Sequence, residues 1–180
     1  MSAYGRFDEI EGRGALVFRR ELDAPRERVW EAVTTPAGLA AWFPCRLDGD
    51  VTAVGSALDF VFPEEDPSGE DATHGVVLAA EPGRRVAFTW EADELRVRLE
   101  PLDPDRCVLE FVTLLPPDDV SAAARTAAGW HSCLDALAEH LATGAAAPAP
   151  ADPTEEFRGL YEAYVAAGFP SGAPVPGDEA

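Results

Sequence analysis

Lysine is absent from the whole chain: all 14 basic side chains are Arg, and 33 acidic ones outnumber them to leave a formal charge of -19 over 180 residues. A shell that acidic repels nucleic-acid phosphates and anionic lipid surfaces, so the charge argues against nucleic acid as a partner. Cysteine is nearly as scarce. Cys45, Cys107 and Cys133 are odd in number, widely spaced and form no Cys-x-x-Cys pair, which predicts reduced thiols packed as small hydrophobes, with neither a disulfide nor a zinc site. Long apolar runs are missing too. No segment approaches the roughly 20 apolar residues that cross a bilayer, and the first 18 residues hold no basic region followed by an apolar core of signal-peptide length. The expectation is a cytoplasmic protein without membrane insertion. The chain also lacks a Gly-rich phosphate loop, a zinc motif and a serine-nucleophile elbow. That removes the commonest enzyme classes, and no metal, cofactor or catalytic residue is assigned.

What remains is ample core material. An apolar content of 47% in 180 residues suits one domain with a tail. The stretch from Glu21 to Phe43, ELDAPRERVWEAVTTPAGLAAWF, reads as a strand end followed by two short helices. Pro25 stands where a first helical turn tolerates a missing N–H, and Val29, Trp30 and Val33 share one face at helical spacing. Thr35 and Pro36 restart a second helix as N-cap and first residue. Trp42 and Phe43 close the unit.

Ala15 to Leu22 is the first strand expected from the pattern, preceded by an N-terminal extension over 1–13. Strand candidates separated by turns then run to about residue 115. Leu58, Phe60 and Phe62 alternate with Asp59 and Val61. An acidic loop, EEDPSGED from Glu64 to Asp71, has no ordered alternation of oxygen ligands and reads as a solvated hairpin end, not a calcium loop. Val86, Phe88 and Trp90 share a face after the Glu81-Pro82-Gly83 turn. Leu95, Val97 and Leu99 alternate with Arg96, Arg98 and Glu100, the clearest inside/outside pattern in the chain. Cys107 to Leu115 makes a last strand, and even spacing with short turns predicts an antiparallel meander.

From Val120 to Leu141 the period changes. Ala123, Ala127, Trp130, Leu134, Leu137 and Leu141 recur at three and four, so one side of a long helix must lie on the sheet. Residues 143–151 form an Ala/Pro linker. Residues 152–169 then read as an amphipathic helix started by Asp152-Pro153-Thr154-Glu155, carrying Phe157, Leu160, Tyr161, Tyr164 and Val165, and ended by Gly168 and Pro170. Residues 170–180 are expected to be a disordered tail.

The segments APRERVWEAVTTPAGLAAWF and AAGWHSCLDALAEHL carry a resemblance to the START/Bet v 1-like (SRPBCC) superfamily, in the branch of homologues of the activator of the heat-shock-protein-90 ATPase. It spans roughly residues 14 to 142. The resemblance implies an α+β, helix-grip fold: a curved antiparallel sheet wrapped around a long C-terminal helix, with two short helices after the first strand. It also implies that the gap between sheet and helix is often a cavity for an apolar ligand.

Trp42, Phe60, Phe62, Phe88, Trp90 and Trp130 come from separate elements that should converge on that interior, with Leu95, Val97, His131 and Leu134 beside them. Such side chains supply most of the area of a small-molecule pocket, and they equally fill a close-packed core. The indole N–H groups of Trp90 and Trp130 need partners, either protein or ligand. His131, at the edge of the buried stripe, reads as a structural histidine, as one that orients a ligand, or as an acid–base group paired with Glu110. His74 and His140 suit surface or capping positions.

Three functions fit: a carrier or sensor of a small hydrophobic or aromatic molecule; a cyclase/aromatase-like enzyme using the same cavity; and a protein-interaction or regulatory module, as the name of the family branch suggests. The aromatic residues of the C-terminal helix would not stay exposed, so it should dock on its own domain, on a protein partner or on a second copy in a homodimer.

Overall fold

In the computed structural model, residues 4–62, 72–117, 119–146 and 154–174 are described. The acidic run Glu64, Glu65, Asp66, Glu70 and Asp71, most of the Ala/Pro linker and the last six residues lie outside them. Eight strands form one antiparallel sheet in the order β1-β2-β8-β7-β6-β5-β4-β3. They are β1 (Arg6–Ile10), β2 (Arg13–Leu22), β3 (Arg46–Asp48), β4 (Ala57–Val61), β5 (Thr73–Glu81), β6 (Arg85–Trp90), β7 (Asp93–Asp103) and β8 (Arg106–Leu114). Helices α1 (Arg26–Thr34) and α2 (Pro36–Leu39) follow β2. A single 3-10 turn, Val120–Ala122, leads into the long α3 (Ala123–Thr143), and α4 (Glu155–Ala166) comes last. The α+β helix-grip arrangement is the one the resemblance implied.

The strands take the faces their alternation dictates. Leu95, Val97 and Leu99 of β7 are buried in the main core, while Arg96 and Arg98 lie on the other face. There Arg96 pairs with Glu94 at 2.7 Å and with Glu11 at 2.9 Å, and Arg98 with Glu100 at 3.0 Å. Residues 6–10, assigned by the sequence to an extension, instead add an edge strand, with Phe7 opposite Leu16 and Asp8 opposite Ala15. RFDEI alternates too briefly to announce itself, because an edge strand shares only one neighbour and needs only one packed residue on its inner face. The two short helices therefore follow the second strand in sequence.

At α1 the start differs by one position: Pro25 is the flanking residue and Arg26 the first helical one. At α2 the Thr35 hydroxyl accepts the Gly38 N–H at 3.1 Å with Pro36 at the first position. Gly38 is there because α1 crosses it closely: a Cβ would stand 2.5 Å from the Glu31 carbonyl oxygen and 2.6 Å from Ala32 Cα.

The chain after α4 does not trail away at once. Pro170 O accepts the Ala124 N–H at 3.0 Å, Ala173 N–H reaches Ser121 O at 3.3 Å, and Arg125 Nη1 donates to Pro174 O at 2.7 Å. Residues 170–174, expected to begin a disordered tail, thus satisfy an N-terminal amide of α3 that no residue of that helix can. Nothing in local composition foretells this, because the bonds join segments nearly fifty residues apart.

The β6–β7 turn holds one electrostatic misfit. Burial pushes the Asp93 carboxyl up to about 6 against the pull of Arg13, with Asp119 and Glu91 adding to the rise, and its Oδ1 has no hydrogen-bond partner among the described residues. The folded chain holds this proton at pH values where the unfolded chain has lost it, so the contribution of Asp93 to stability is most favourable below about pH 4 and falls as pH rises towards 6. Asp93→Asn is expected to stabilise the protein at pH 7 by about 1–2 kcal/mol and to have no effect at pH 3. Urea titrations at the two pH values test it; an equal effect at both would mean that ionisation is not the cause.

Candidate functional site

The inner wall between sheet and α3 is built of aromatic rings supplied by β4, β6, β8 and α3 and by the segments just after β4 and α2. On the β4–β6 side, Phe60 lies flat on Trp90 with centroids 4.6 Å apart and planes 7° from parallel, and Phe88 and Phe62 extend the stack at 6.3 Å and 6.0 Å. Strand alternation puts them there, since residues 58 and 60 of β4 and residues 86, 88 and 90 of β6 each share a face. From α3, Trp130 meets Phe111 of β8 at 4.6 Å and Trp90 at 6.3 Å. Phe43 stands between the two sides, 5.7 Å from Trp90 and 5.6 Å from Trp130. Trp42 closes the end beneath, 5.5 Å from Phe43.

Trp42, Phe60, Phe62, Phe88, Trp90, Leu95, Val97, Trp130 and Leu134 all belong to one apolar cluster. The convergence expected from their separate elements is real. Phe43 and Phe111 are wall residues that the sequence reading did not select. Their signals were present: Phe43 directly follows Trp42, and Phe111 has the parity of Leu109 on β8. Phe62 and Trp90 are only half buried, and they mark where the wall reaches the surface. Across the sheet α3 approaches β2 most closely, so over the middle strands the space is bridged by Trp130, Phe43 and Phe111.

The indole N–H groups divide. Trp42 donates to Ala32 O at 3.0 Å and Trp90 to Thr73 Oγ1 at 2.7 Å. Trp130 donates to none of the described residues. Thr113, fully buried on β8, is likewise left with an unpartnered hydroxyl.

His131 belongs to a different compartment. One residue on from Trp130 and therefore turned by about 100° around α3, it is 4% exposed with Nδ1 2.8 Å from the Tyr164 hydroxyl and Nε2 3.4 Å from Asp135 Oδ2. Gly5 N–H donates to the same tyrosine oxygen at 3.0 Å, so one hydroxyl ties the N-terminal segment to His131 of α3. Phe18 and Tyr4 lie edge-on to the ring, and Arg20 Nη2 reaches Asp135 Oδ1 at 3.2 Å. Glu110, the carboxylate considered as its acid–base partner, is on the opposite face of the sheet, in register with Arg19 and Arg98. Strand parity decides this: residues 107, 109 and 111 face the core, so residue 110 cannot.

Burial pushes the Cys45 and Cys133 thiols each up to about 12, and all three cysteines are free. His74 is exposed beside Asp59, and His140 Nδ1 meets Ala145 O at 2.9 Å near the end of α3. No group of three metal-ligating side chains occurs among the described residues. No helix among them is long and apolar enough to cross a membrane.

The model of the family described as Activator of Hsp90 ATPase homolog 1-like protein matches residues 23–142. Among solved structures, the conserved protein of unknown function EF2215 from Enterococcus faecalis is 20% identical, with 91% of this chain and 89% of that one covered at a TM-score of 0.73. CalU16 from Micromonospora echinospora is 23% identical over 89% of this chain and 91% of its own, TM-score 0.64. A structure described as the Aha1 dimer from Colwellia psychrerythraea is 21% identical over 72% and 97%, TM-score 0.60. At these identities the likeness is one of fold. No curated protein matches.

Proposed function

Because this chain belongs to the Activator of Hsp90 ATPase homolog 1-like family, we propose that it is a cytoplasmic carrier or sensor that binds a small apolar or aromatic molecule between the sheet and α3. The observation that carries the reading is the continuous ring wall from Phe62 through Trp90, Phe43 and Trp130 to Phe111. Its half-buried end is an entry point, and its flat rings suit a planar or hydrophobic guest. Trp42, Phe60, Phe88, Leu95, Val97 and Leu134 complete the binding surface.

Acid–base catalysis in the same space would need titratable groups on its wall. His131 is engaged by Tyr164 and Asp135, Glu110 is on the outer face, and the buried thiols are held protonated. Binding without turnover is therefore the reading with more support.

Native mass spectrometry of protein purified gently from its own cells tests it, followed by titration with 2-acetonaphthone read by tryptophan fluorescence. A small molecule retained at one per chain, or saturable quenching, is the expected result. A bare mass together with no saturable quenching would overturn the proposal and leave the rings as core alone.

A further inference from the structure

Resting on the binding reading above, we infer that the ligand carries a hydrogen-bond-accepting oxygen on an otherwise apolar ring system, and that Thr113 and Trp130 donate to it. Thr113 is 0% exposed, yet its Oγ1 has no partner among the described residues. Its register fixes where it points: on β8 it is opposite Leu16 of β2 and Leu95 of β7, both in the main core, and it has the parity of Leu109 and Phe111. The hydroxyl is therefore on the inner wall, about 7 Å along the strand from Phe111.

The Phe111 ring is the one against which Trp130 packs at 4.6 Å, and the Trp130 indole N–H has no acceptor among the described residues. Thr113 Oγ1 is thus a fully buried, unpartnered hydroxyl on a wall that is otherwise apolar, and the Trp130 indole packs on the neighbouring ring of the same strand face. A buried hydroxyl without a partner is costly, and an isosteric Val would avoid the cost. The same hydroxyl becomes favourable once an acceptor arrives in a site shielded from water. The indole can only donate, and the hydroxyl can donate as well as accept, so a ligand atom that meets both groups is an acceptor: a ketone, quinone, ester or ether oxygen.

A matched pair of probes tests this. 2-Acetonaphthone and 2-ethylnaphthalene have nearly the same shape and differ in the oxygen. Equilibrium dialysis against the full chain should give about tenfold tighter binding of the ketone by wild type, the scale of one or two net hydrogen bonds. Thr113→Val should weaken the ketone about five- to tenfold and leave the hydrocarbon within twofold, and Thr113→Ser should restore most of the loss. Trp130→Phe should cut the ketone preference in the same direction. Without probe, Thr113→Val should raise the melting temperature by about 2–4 °C, because it removes an unpaired buried hydroxyl.

Both probes binding equally to wild type, or a ketone affinity indifferent to Thr113→Val, would overturn the polar pair while leaving the binding site standing. A lowered melting temperature for Thr113→Val would also overturn it, since the hydroxyl would then be satisfied already. If neither probe binds wild type, the binding reading and this inference fall together.

Discussion

Gly75→Ala should destabilise the protein by about 3 kcal/mol, more than any other single methyl added to a strand here, although the position is only half buried. The reason is local. A Cβ on Gly75 would stand 1.9 Å from the Thr89 carbonyl oxygen and 2.8 Å from its carbon, both backbone atoms, and 3.0 Å from the Phe60 ring. No rotamer relieves a clash with backbone, so β5 must move away from β6.

Three bonds hold the strands at that spacing: Glu91 N–H to His74 O at 2.8 Å, Val76 N–H to Thr89 Oγ1 at 2.9 Å, and Trp90 Nε1–H to Thr73 Oγ1 at 2.7 Å. Displacing β5 would strain all three and disturb the Phe60–Trp90 stack. Urea denaturation followed by Trp fluorescence measures the loss, and near-ultraviolet circular dichroism should report the altered stack in the folded state. Gly129→Ala is the control. A Cβ there meets nothing within 4 Å, and the site lies inside α3, so this change should stabilise by about 0.5–1 kcal/mol. Equal effects at the two glycines would show that composition, not contact, is being measured.

Much of this architecture can be read from periodicity because one face of the sheet carries the main core, the other holding only the small cluster of Ala15, Val17, Val112 and Leu114. Alternation at Leu95, Val97 and Leu99 fixes which side of β7 looks inward, and the stripe through Trp130, Leu134 and Leu137 fixes which side of α3 meets it. The same alternation on β4 and β6 gathers Phe60, Phe88 and Trp90, whereas Trp42 and Phe43 lie after α2, where neither period reaches. Glu110 was harder to place because both faces of β8 are apolar, with Val108, Val112 and Leu114 sharing its side, so parity alone does not say which face looks inward.

What escaped the sequence depends on contacts between distant segments. Gly5 and Tyr164 are far apart in the chain and yet share a hydrogen bond, and β1 has no strong pattern of its own. His131 was expected at the edge of the buried stripe of α3, beside the ring wall, and its ring instead meets Tyr164 and Asp135. Its neighbours were not legible, because they come from β2, α4 and the N-terminal segment. The unpaired state of Thr113 was invisible for the same reason, since a threonine in a strand ordinarily looks unremarkable.

Tyr164 decides whether α4 is part of the domain, and its replacement should have the second large effect. Its ring is 1% exposed and packs on Phe169 at 4.7 Å and Phe18 at 6.4 Å. Of the five stripe residues on α4, Val165 alone is left outside, at 39% exposure. Tyr164→Ala should cost about 3–5 kcal/mol from the lost ring and the cavity left behind. Tyr164→Phe keeps the ring but strands Gly5 N–H and His131 Nδ1, and should cost about 1–3 kcal/mol. Denaturant titration gives both values, and hydrogen exchange should show α4 and residues 170–174 losing protection first, because they share the anchor.

Ligand binding separates the two compartments. Trp130 and His131 are adjacent in sequence but face different neighbours, so Tyr164→Phe should leave probe affinity within twofold while Trp130→Phe does not. Loss of binding with Tyr164→Phe would instead mean that α4 shapes the chamber through His131, and that the histidine belongs with the ligand after all.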